Sequence, residues 1–180
     1  MIIFLKRFVS NPTQVGSIIP SSRFLSSLMM KPISWERSGV IVELGPGTGV
    51  FTQEIMKKMK TDSHFFVIER DPLFQKLLRK RFPTLIIRNE AVQLSSYLSE
   101  THLTKCDAII SGLPFAVFPE ETRRELLDEI EHSLNDEGVF VTFQYSLQLK
   151  EALEKRFAKV EISFTLLNFP PAFVYTCYKK

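Results

Sequence analysis

The sequence predicts an α/β fold with a doubly wound, mostly parallel sheet and helices on both faces. Five short runs of β-branched or aromatic residues alternate along the chain with segments of helical periodicity, and two further strand-like runs, the first of period two, follow near the end. Such alternation is typical of parallel strands joined by crossover helices, whereas two consecutive runs favour an antiparallel pair at a sheet edge. The five alternating runs are residues 40–42, 65–68, 85–87, 108–110 and 139–141.

Helices are predicted between these runs from capping residues and apolar periodicity. Asp71-Pro72 supplies an N-cap and a first-turn proline for a helix in which Leu73, Leu77 and Leu78 share one face. A longer helix is predicted over residues 120–134. The remaining predicted elements are a turn over residues 135–138, a helix over residues 148–157 and the antiparallel strands 160–166 and 173–178.

Length and composition limit the possible functions. The 180 residues, 44% of them hydrophobic, fit one globular domain with a continuous core. A net charge of +3 is well below that of a dedicated nucleic-acid binder. The two cysteines and three histidines lack ligand spacing, so no metal site is predicted. Without a secretory signal or a long apolar run, the protein is expected to be cytoplasmic, soluble or peripheral on the inner face of the membrane.

A glycine-rich turn follows the first predicted strand, which is where ligands bind in a doubly wound sheet. The stretch reads Glu43-Leu44-Gly45-Pro46-Gly47-Thr48-Gly49, and its three glycines allow backbone amides to approach a ligand closely. Thr48 is expected to help cap the helix that starts near Val50. Because Val50 stands where a dinucleotide site has its third glycine or alanine, the pyrophosphate fingerprint is incomplete.

Acidic residues follow the second and third predicted strands at the same edge of the sheet. Glu69 comes twenty positions after Gly49, where a carboxylate can accept hydrogen bonds from both hydroxyls of a ribose. Glu90 is placed to accept from an adenine amino group. Carboxylates at these consecutive strand ends therefore predict an adenosyl site, and the neighbours Arg70, Ala91 and Ser111 complete the predicted cofactor-binding set.

The stretch from Val42 to Gly49, together with Glu69, resembles the cofactor motif of class I methyltransferases, and the resemblance covers nearly the whole chain. It implies a Rossmann-like sheet with an antiparallel last strand, S-adenosylmethionine as methyl donor and S-adenosylhomocysteine as product. In that family the residue matching Glu43 lies near the methionine end of the cofactor. The residue matching Glu69 binds ribose, and the one matching Glu90 meets adenine.

A second motif, Ser111-Gly112-Leu113-Pro114-Phe115, follows the fourth predicted strand, where this family receives the acceptor. It resembles the motif of adenine N6 methyltransferases, including the ribosomal RNA dimethylating enzymes, except that Gly112 replaces their Asn, Asp or Ser. It is also similar to bacterial phospholipid N-methyltransferases, which methylate phosphatidylethanolamine. The latter resemblance extends to residues 11–23 and 168–175, although the arginine that usually precedes Asn168 is Leu167 here.

For an amine acceptor, the expected catalytic set is Gly112, Leu113, Pro114, Phe115 and Tyr145. Methyl transfer from a sulfonium needs alignment of a neutral amine rather than a strong base. Carbonyls near Gly112 and Leu113, or the Tyr145 hydroxyl, are expected to orient the lone pair. The rings of Phe115 and Tyr145 are expected to hold the growing methylammonium by cation–π attraction.

The amino-terminal residues 1–35 are predicted to form a helical segment that faces the substrate or a membrane. Residues 1–9 combine apolar side chains with two cations, a composition suited to an anionic lipid interface. Packing against the sheet and a disordered start are the alternatives. The helix that follows is expected to turn Phe24, Leu25 and Leu28 inward.

The function that the sequence favours is S-adenosylmethionine-dependent N-methylation of phosphatidylethanolamine headgroups at an anionic membrane surface. Three alternatives stay open: an RNA adenine methyltransferase, a methyltransferase acting on a soluble small molecule, and a lipid-binding module that has lost catalysis. Gly112 and the small net charge weigh against RNA, whereas the intact glycines and Glu69 weigh against loss of catalysis.

Overall fold

Seven strands and six α-helices alternate within residues 23–180, the part of the chain that the computed structural model describes. The strands are β1 (Val40–Leu44), β2 (His64–Ile68), β3 (Ile86–Arg88), β4 (Cys106–Ser111), β5 (Leu134–Gln144), β6 (Lys159–Thr165) and β7 (Ala172–Tyr178). The helices are α1 (Arg23–Met30), α2 (Val50–Lys58), α3 (Pro72–Arg81), α4 (Leu94–Glu100), α5 (Glu120–Ser133) and α6 (Lys150–Glu154). Within this range no helix is long and apolar enough to cross a membrane.

The strands form one sheet in the order β3-β2-β1-β4-β5-β7-β6. β1 to β5 are parallel, β7 runs antiparallel to β5, and β6 runs antiparallel to β7. This arrangement confirms the predicted doubly wound sheet with an antiparallel pair at one edge. Because β7 is antiparallel to β5 and β6 is antiparallel to β7, β6 runs in the same direction as the five parallel strands. It therefore ends on the same side of the sheet as they do. We call that side the carboxyl edge.

Helices cover both faces of the sheet. One core cluster joins apolar residues of α1, α2 and α3 to one face, and a second joins those of α4, α5 and α6 to the other. Successive residues of a strand point to opposite faces, so Val42 and Leu44 reach the second cluster while Ile41 reaches the first. Glu43, between Val42 and Leu44, therefore points toward the face that carries α2.

Two predictions about apolar helix faces are wrong in part. In α3 the Asp71 side chain caps the helix as predicted, accepting from the Leu73 amide at 2.8 Å. Leu78 is buried, but Leu73 and Leu77 are exposed, because β3 is only three residues long and leaves little sheet for α3 to cover. In α1, Leu25 is buried whereas Phe24 is exposed.

The predicted turn over residues 135–138 lies inside β5, where the pairing with β4 shifts register between Cys106 and Ala108. The chain does fold back tightly there. A Cβ on Gly138 would stand 2.8 Å from the Asn135 carbonyl oxygen. The turn is therefore an irregularity within a long strand, and α5 ends one residue earlier than predicted, at Ser133.

Candidate functional site

The glycine turn joins β1 to α2 at the carboxyl edge. All three of its glycines have positive φ: +67° for Gly45, +55° for Gly47 and +82° for Gly49. The Gly45 amide donates to the Ile68 carbonyl at 2.8 Å, which continues the pairing of β1 with β2. Among residues 23–180, apart from Gly47 and its two chain neighbours, no atom lies within 4 Å of the point where a Cβ of Gly47 would stand. The turn therefore leaves an open space beside Gly47 into which a ligand can enter.

The predicted cap by Thr48 is wrong. Gly49 occupies the N-cap position of α2 in the left-handed conformation, and no side chain caps it. Thr48 instead contributes its carbonyl oxygen, which accepts from Nη1 of Arg81 at 2.9 Å. Arg81 ends α3 and so ties this helix to the turn. Sequence reasoning missed this residue because a basic helix end is common and carries no specific signal.

Glu43 is fully buried beneath the glycine turn. Its Oε2 accepts from the Thr52 hydroxyl of α2 at 2.6 Å, whereas its Oε1 is buried without a partner in the described structure. Burial, reinforced by the charge of Glu69, raises the pKa of Glu43 from 4.5 to about 8. A buried carboxyl oxygen without a donor needs an explanation, and a ligand donor or cation at the turn would supply it.

Glu69 directly follows β2, lies beside the turn and is also buried. Its Oε2 accepts from the Gly47 amide at 3.0 Å and its Oε1 from the Asp71 amide at 2.9 Å. Burial raises the pKa of this carboxyl although both amides favour its ionised form. Glu69 therefore fixes the position of Gly47 and presents a carboxylate at the same place. Its predicted contact with ribose hydroxyls stays a prediction.

The third predicted carboxylate, Glu90, lies past the end of β3 and is half-exposed. Its Oε1 lies 3.7 Å from Nε of the exposed Arg70, and its backbone amide donates to the Tyr97 hydroxyl at 3.3 Å. Ala91 follows it at the start of a short 3₁₀ turn. The structure thus places Glu43, Glu69 and Glu90 at the ends of three adjacent strands, as the sequence predicts.

We expect Glu69→Gln to weaken both the turn and cofactor binding. The glutamine side chain would place its NH₂ group against the backbone N–H of either Gly47 or Asp71. A buried donor without an acceptor lowers the stability by about 1–3 kcal/mol. We therefore expect a lower free energy of unfolding in urea and an affinity for S-adenosylmethionine that falls about tenfold or more by calorimetric titration. Glu100→Gln, which removes an exposed ion pair with Arg88, is the matched control. Wild-type affinity in Glu69→Gln would contradict the assigned position.

The acceptor motif, Ser111 to Phe115, follows β4 directly beside the glycine turn. The Gly112 amide donates to the Leu44 carbonyl at 2.8 Å, and a Cβ at Gly112 would stand 2.8 Å from the Gly45 carbonyl oxygen. The Ser111 hydroxyl accepts from the Leu113 amide at 3.1 Å. The structure thus brings the two motifs into backbone contact, and position 112 has no room for a side chain.

Gln144, the last residue of β5, is a site residue that sequence reasoning missed. It is buried, and its Nε2 donates to the Leu113 carbonyl at 2.9 Å. That carbonyl is one of the two predicted to orient an amine, but it also accepts from the Phe115 amide at 3.0 Å, so both of its lone pairs are already used. Gln144 holds the acceptor loop in place across two strands. An isolated glutamine at a strand end gives no signal that could have revealed this contact.

The role predicted for the Phe115 ring is wrong. Phe115 is completely buried in the core cluster that lies under α5, with edge-to-face contacts to Phe118 and Phe140. A ring enclosed in this way cannot stack on a base or receive a methylammonium. Pro114 begins a short 3₁₀ turn that directs Phe115 inward. Phe115 therefore anchors the acceptor loop to the core.

Tyr145 lies past the end of β5 at the carboxyl edge and is partly buried. Its ring contacts Phe143 edge to face, with centroids 5.7 Å apart. Burial raises the pKa of its hydroxyl, which is hydrogen-bonded to Asn168. The Asn168 amide also donates to the Pro170 carbonyl at 2.8 Å. The structure therefore joins the predicted catalytic tyrosine to the Asn168 motif that follows β6.

Together these contacts bring the predicted cofactor-binding residues and the predicted acceptor loop into one candidate site. Within residues 23–180 the glycine turn offers an open space, a carboxylate at Glu69 and an unpartnered carboxyl oxygen at Glu43. These groups suit a ligand with hydroxyls and a cationic end, which S-adenosylmethionine has. Within residues 23–180 no group of three or more His, Cys, Asp or Glu side chains could hold a metal ion.

The chain matches a known protein family and is similar to a curated protein over nearly its whole length. The family described as the methyltransferase small domain matches residues 18–169. The curated ornithine lipid N-methyltransferase of Singulisphaera acidiphila is 33% identical over 180 residues, which cover 97% of this chain and 94% of that protein. The match therefore extends over nearly the whole of both chains.

Solved structures are similar to this chain at the level of the fold. The O-methyltransferase TomG from Streptomyces achromogenes, in complex with S-adenosylmethionine, gives a TM-score of 0.70 at 13% identity, covering 88% of this chain and 81% of TomG. The 1,6-didemethyltoxoflavin N1-methyltransferase of Burkholderia thailandensis, with its substrate and S-adenosylhomocysteine, gives 0.68 at 14% identity, covering 99% and 86%. The mixed sheet with its antiparallel last strands is the shared architecture.

Proposed function

The chain belongs to the methyltransferase small domain family and is an S-adenosylmethionine-dependent methyltransferase, and we propose that it methylates the primary amine of a membrane lipid headgroup. The observation that carries this proposal is the 33% identity, over 97% of the chain, to an ornithine lipid N-methyltransferase. The acceptor loop supports it as well, because the Gly45 carbonyl leaves position 112 no room for the polar side chain that the resembling RNA methyltransferases carry there.

On the cofactor side, the residues act by binding and orientation. The cofactor supplies a methyl group on a sulfonium, which is activated for in-line displacement. We propose that the Glu69 carboxylate accepts the ribose hydroxyls and that the half-exposed Glu90 meets the adenine. We further propose that the fully buried Glu43 meets the cationic methionine end, where its unpartnered oxygen would find a donor.

On the acceptor side, the chain must hold a neutral amine with its lone pair directed at the methyl group. We propose that an amine N–H donates to the Gly112 carbonyl rather than to the Leu113 carbonyl, which already accepts from Gln144 at 2.9 Å and from the Phe115 amide at 3.0 Å. The Tyr145 hydroxyl, whose pKa is raised by burial, stays protonated at neutral pH and acts by hydrogen bonding rather than as a base. The proton that the ammonium loses passes to water.

Two lipid acceptors follow from different observations. Phosphatidylethanolamine is the acceptor that the sequence resemblance predicts. Ornithine lipid is the second, because the relative's name specifies it and because Leu167, exposed to solvent, stands where the resembling family has an arginine. An apolar side chain at that position suits a headgroup without phosphate, and ornithine lipid has none.

The deciding experiment measures transfer of a labelled methyl group from S-adenosylmethionine to separate acceptors. The arms contain phosphatidylethanolamine vesicles, ornithine lipid vesicles, ribosomal RNA and a mixture of soluble metabolites. We expect label on one or both lipids, with phosphatidylcholine vesicles as the negative control because their amine is fully methylated. Label confined to RNA or to soluble metabolites would overturn the proposal in favour of the corresponding alternative.

Tyr145→Phe is expected to lower kcat with the lipid acceptor about tenfold, since loss of one positioning hydrogen bond costs about 1.4 kcal/mol in the transition state. The affinity for S-adenosylmethionine should stay unchanged, which separates positioning from a general structural defect. Tyr178→Phe is the control, because Tyr178 ends β7 on the side of the sheet opposite the carboxyl edge. An unchanged kcat in Tyr145→Phe would show that the hydroxyl takes no part.

A further inference from the structure

The end of β6 and the segment that joins it to β7 carry an unusual group of exposed apolar side chains. Phe164, Leu166, Leu167 and Phe169 are 50%, 73%, 60% and 75% exposed. The seventeen residues from Ile162 to Tyr178 contain no charged side chain, in a chain that is 24% charged. We call residues 166–171 the β6–β7 loop. Clusters of this kind on a protein surface mark a site of interaction rather than ordinary exposure.

The β6–β7 loop is arranged with its polar side chains inside and its apolar side chains outside. Thr165 and Asn168 are buried. The Thr165 hydroxyl accepts from the Leu167 amide at 3.2 Å, and the Asn168 amide donates to the Pro170 carbonyl at 2.8 Å. The loop thus satisfies part of its own backbone and presents apolar groups outward. That arrangement suits contact with a medium that offers few hydrogen bonds.

The position of the β6–β7 loop places it at the site. β6 ends at the carboxyl edge, and Gln144, Phe173 and Phe164 lie at the same level across β5, β7 and β6. Phe164 is therefore two strand spacings from Gln144, a distance of roughly 10 Å. The loop continues past that level, and Asn168 contacts the Tyr145 hydroxyl. The exposed side chains therefore border the acceptor side of the site.

We propose that the β6–β7 loop inserts into the interfacial region of a lipid bilayer and holds the carboxyl edge against the headgroups. The proposal rests on the proposed function in one respect, that the acceptor is a lipid. The four side chains expose on the order of 500 Å², given 150–250 Å² for a whole aromatic side chain. A stable protein interface needs about 800 Å² from each partner, so the patch is small for a protein partner. Its lack of charge matches the uncharged acyl boundary of a bilayer.

Vesicle flotation of the full chain tests the proposal. The test variant combines Leu166→Ser, Leu167→Ser and Phe169→Ser, and the control is Leu77→Ser, an exposed leucine on α3 at the other end of the sheet. We expect the triple variant to bind phosphatidylcholine vesicles at least about tenfold more weakly than the wild type, in low and high salt, because apolar insertion does not depend on charge. The control should bind like the wild type, and both should unfold at the wild-type temperature.

Activity separates this proposal from the proposed function. The double variant Leu166→Ser/Phe169→Ser, which leaves Leu167 in place, should lose activity on aminolipid vesicles in proportion to its loss of binding, yet keep wild-type activity on a short-chain, water-soluble aminolipid. Wild-type vesicle binding by the triple variant, or binding by the wild type that occurs only on anionic vesicles at low salt, overturns the loop proposal. If the wild type binds through the loop but methylates neither lipid, the loop proposal stands and the proposed function fails.

Discussion

Replacing Glu43 by glutamine is expected to stabilise the cofactor-free protein at neutral and higher pH while sharply weakening cofactor binding. Burial raises the pKa of Glu43 from an ordinary value of 4.5 to about 8. In the unfolded chain this carboxyl ionises at its ordinary pKa. Between these two values the folded state binds more protons than the unfolded state, so stability falls as pH rises, by up to about 1.4 kcal/mol per pH unit. Glu43→Gln does not titrate and should remove this fall.

The measurement is urea unfolding of the cofactor-free protein at several pH values from 5 to 8, across the window set by the pKa of Glu43. The wild type should lose stability with rising pH and Glu43→Gln should lose less, so that the two curves diverge. Glu54→Gln, an acid of α2 that pairs with Lys57 at the surface, is the control and should follow the wild type. Parallel curves for the wild type and Glu43→Gln would show that Glu43 ionises normally in the folded state.

Cofactor binding should respond in the opposite direction. We propose that the ionised carboxyl faces the cationic methionine end, so binding must deprotonate Glu43, and affinity should rise toward pH 8 by up to about tenfold per pH unit. Glu43→Gln carries no charge and should bind S-adenosylmethionine about 30-fold or more weakly near pH 7.5, since a buried charge-assisted hydrogen bond contributes about 1.5–3 kcal/mol. Calorimetric titration measures both. A pH-independent affinity in the wild type would contradict the placement of Glu43.

Much of the fold is predictable from local sequence because its signals are local. Alternating apolar runs and helical segments indicate parallel strands with crossover helices, and the consecutive runs after α6 indicate the antiparallel pair β6 and β7. The three carboxylates at adjacent strand ends follow from the same reasoning, since the carboxyl ends of parallel strands share one edge. These inferences need only chain order and strand direction.

Burial of particular side chains was less predictable because it depends on which element covers which part of the sheet. Leu73 and Leu77 have helical spacing, yet they are exposed because the three-residue β3 gives α3 little to cover. Phe115 lies in a motif where its ring was expected to meet the substrate, yet a short 3₁₀ turn directs it into the core. Periodicity specifies a shared face but does not say what that face meets.

Contacts between distant segments were not predictable at all. The hydrogen bond from Gln144 to Leu113 and the one from Arg81 to Thr48 join residues that are 31 and 33 positions apart. Neither residue belongs to a motif, and each of these two contacts depends on a single donor group. Their contribution emerges only when the strand register brings β5 beside β4 and the end of α3 beside the glycine turn.

Adding one methyl group at Gly112 is expected to abolish most of the activity, because position 112 is where the two halves of the site touch. The Cβ of an alanine would stand 2.8 Å from the Gly45 carbonyl oxygen, which belongs to backbone and cannot rotate away. Either the acceptor loop or the glycine turn must shift. We expect Gly112→Ala to lower the stability by about 1–3 kcal/mol and the activity about 100-fold or more, since displacements near 1 Å in a positioned site are that costly.

The same geometry bears on the choice of acceptor. The adenine N6 methyltransferases that this motif resembles carry Asn, Asp or Ser at this position, and each of those has the Cβ for which Gly45 leaves no room here. Gly112→Asn should therefore fail to create activity on RNA and should lose activity on the aminolipid.

Gly39→Ala is the matched control for Gly112→Ala, because its Cβ would meet Asp107 Oδ2 at an ordinary 3.7 Å. Wild-type kcat and cofactor affinity in Gly112→Ala would mean that the contact between the two motifs is not needed for methyl transfer.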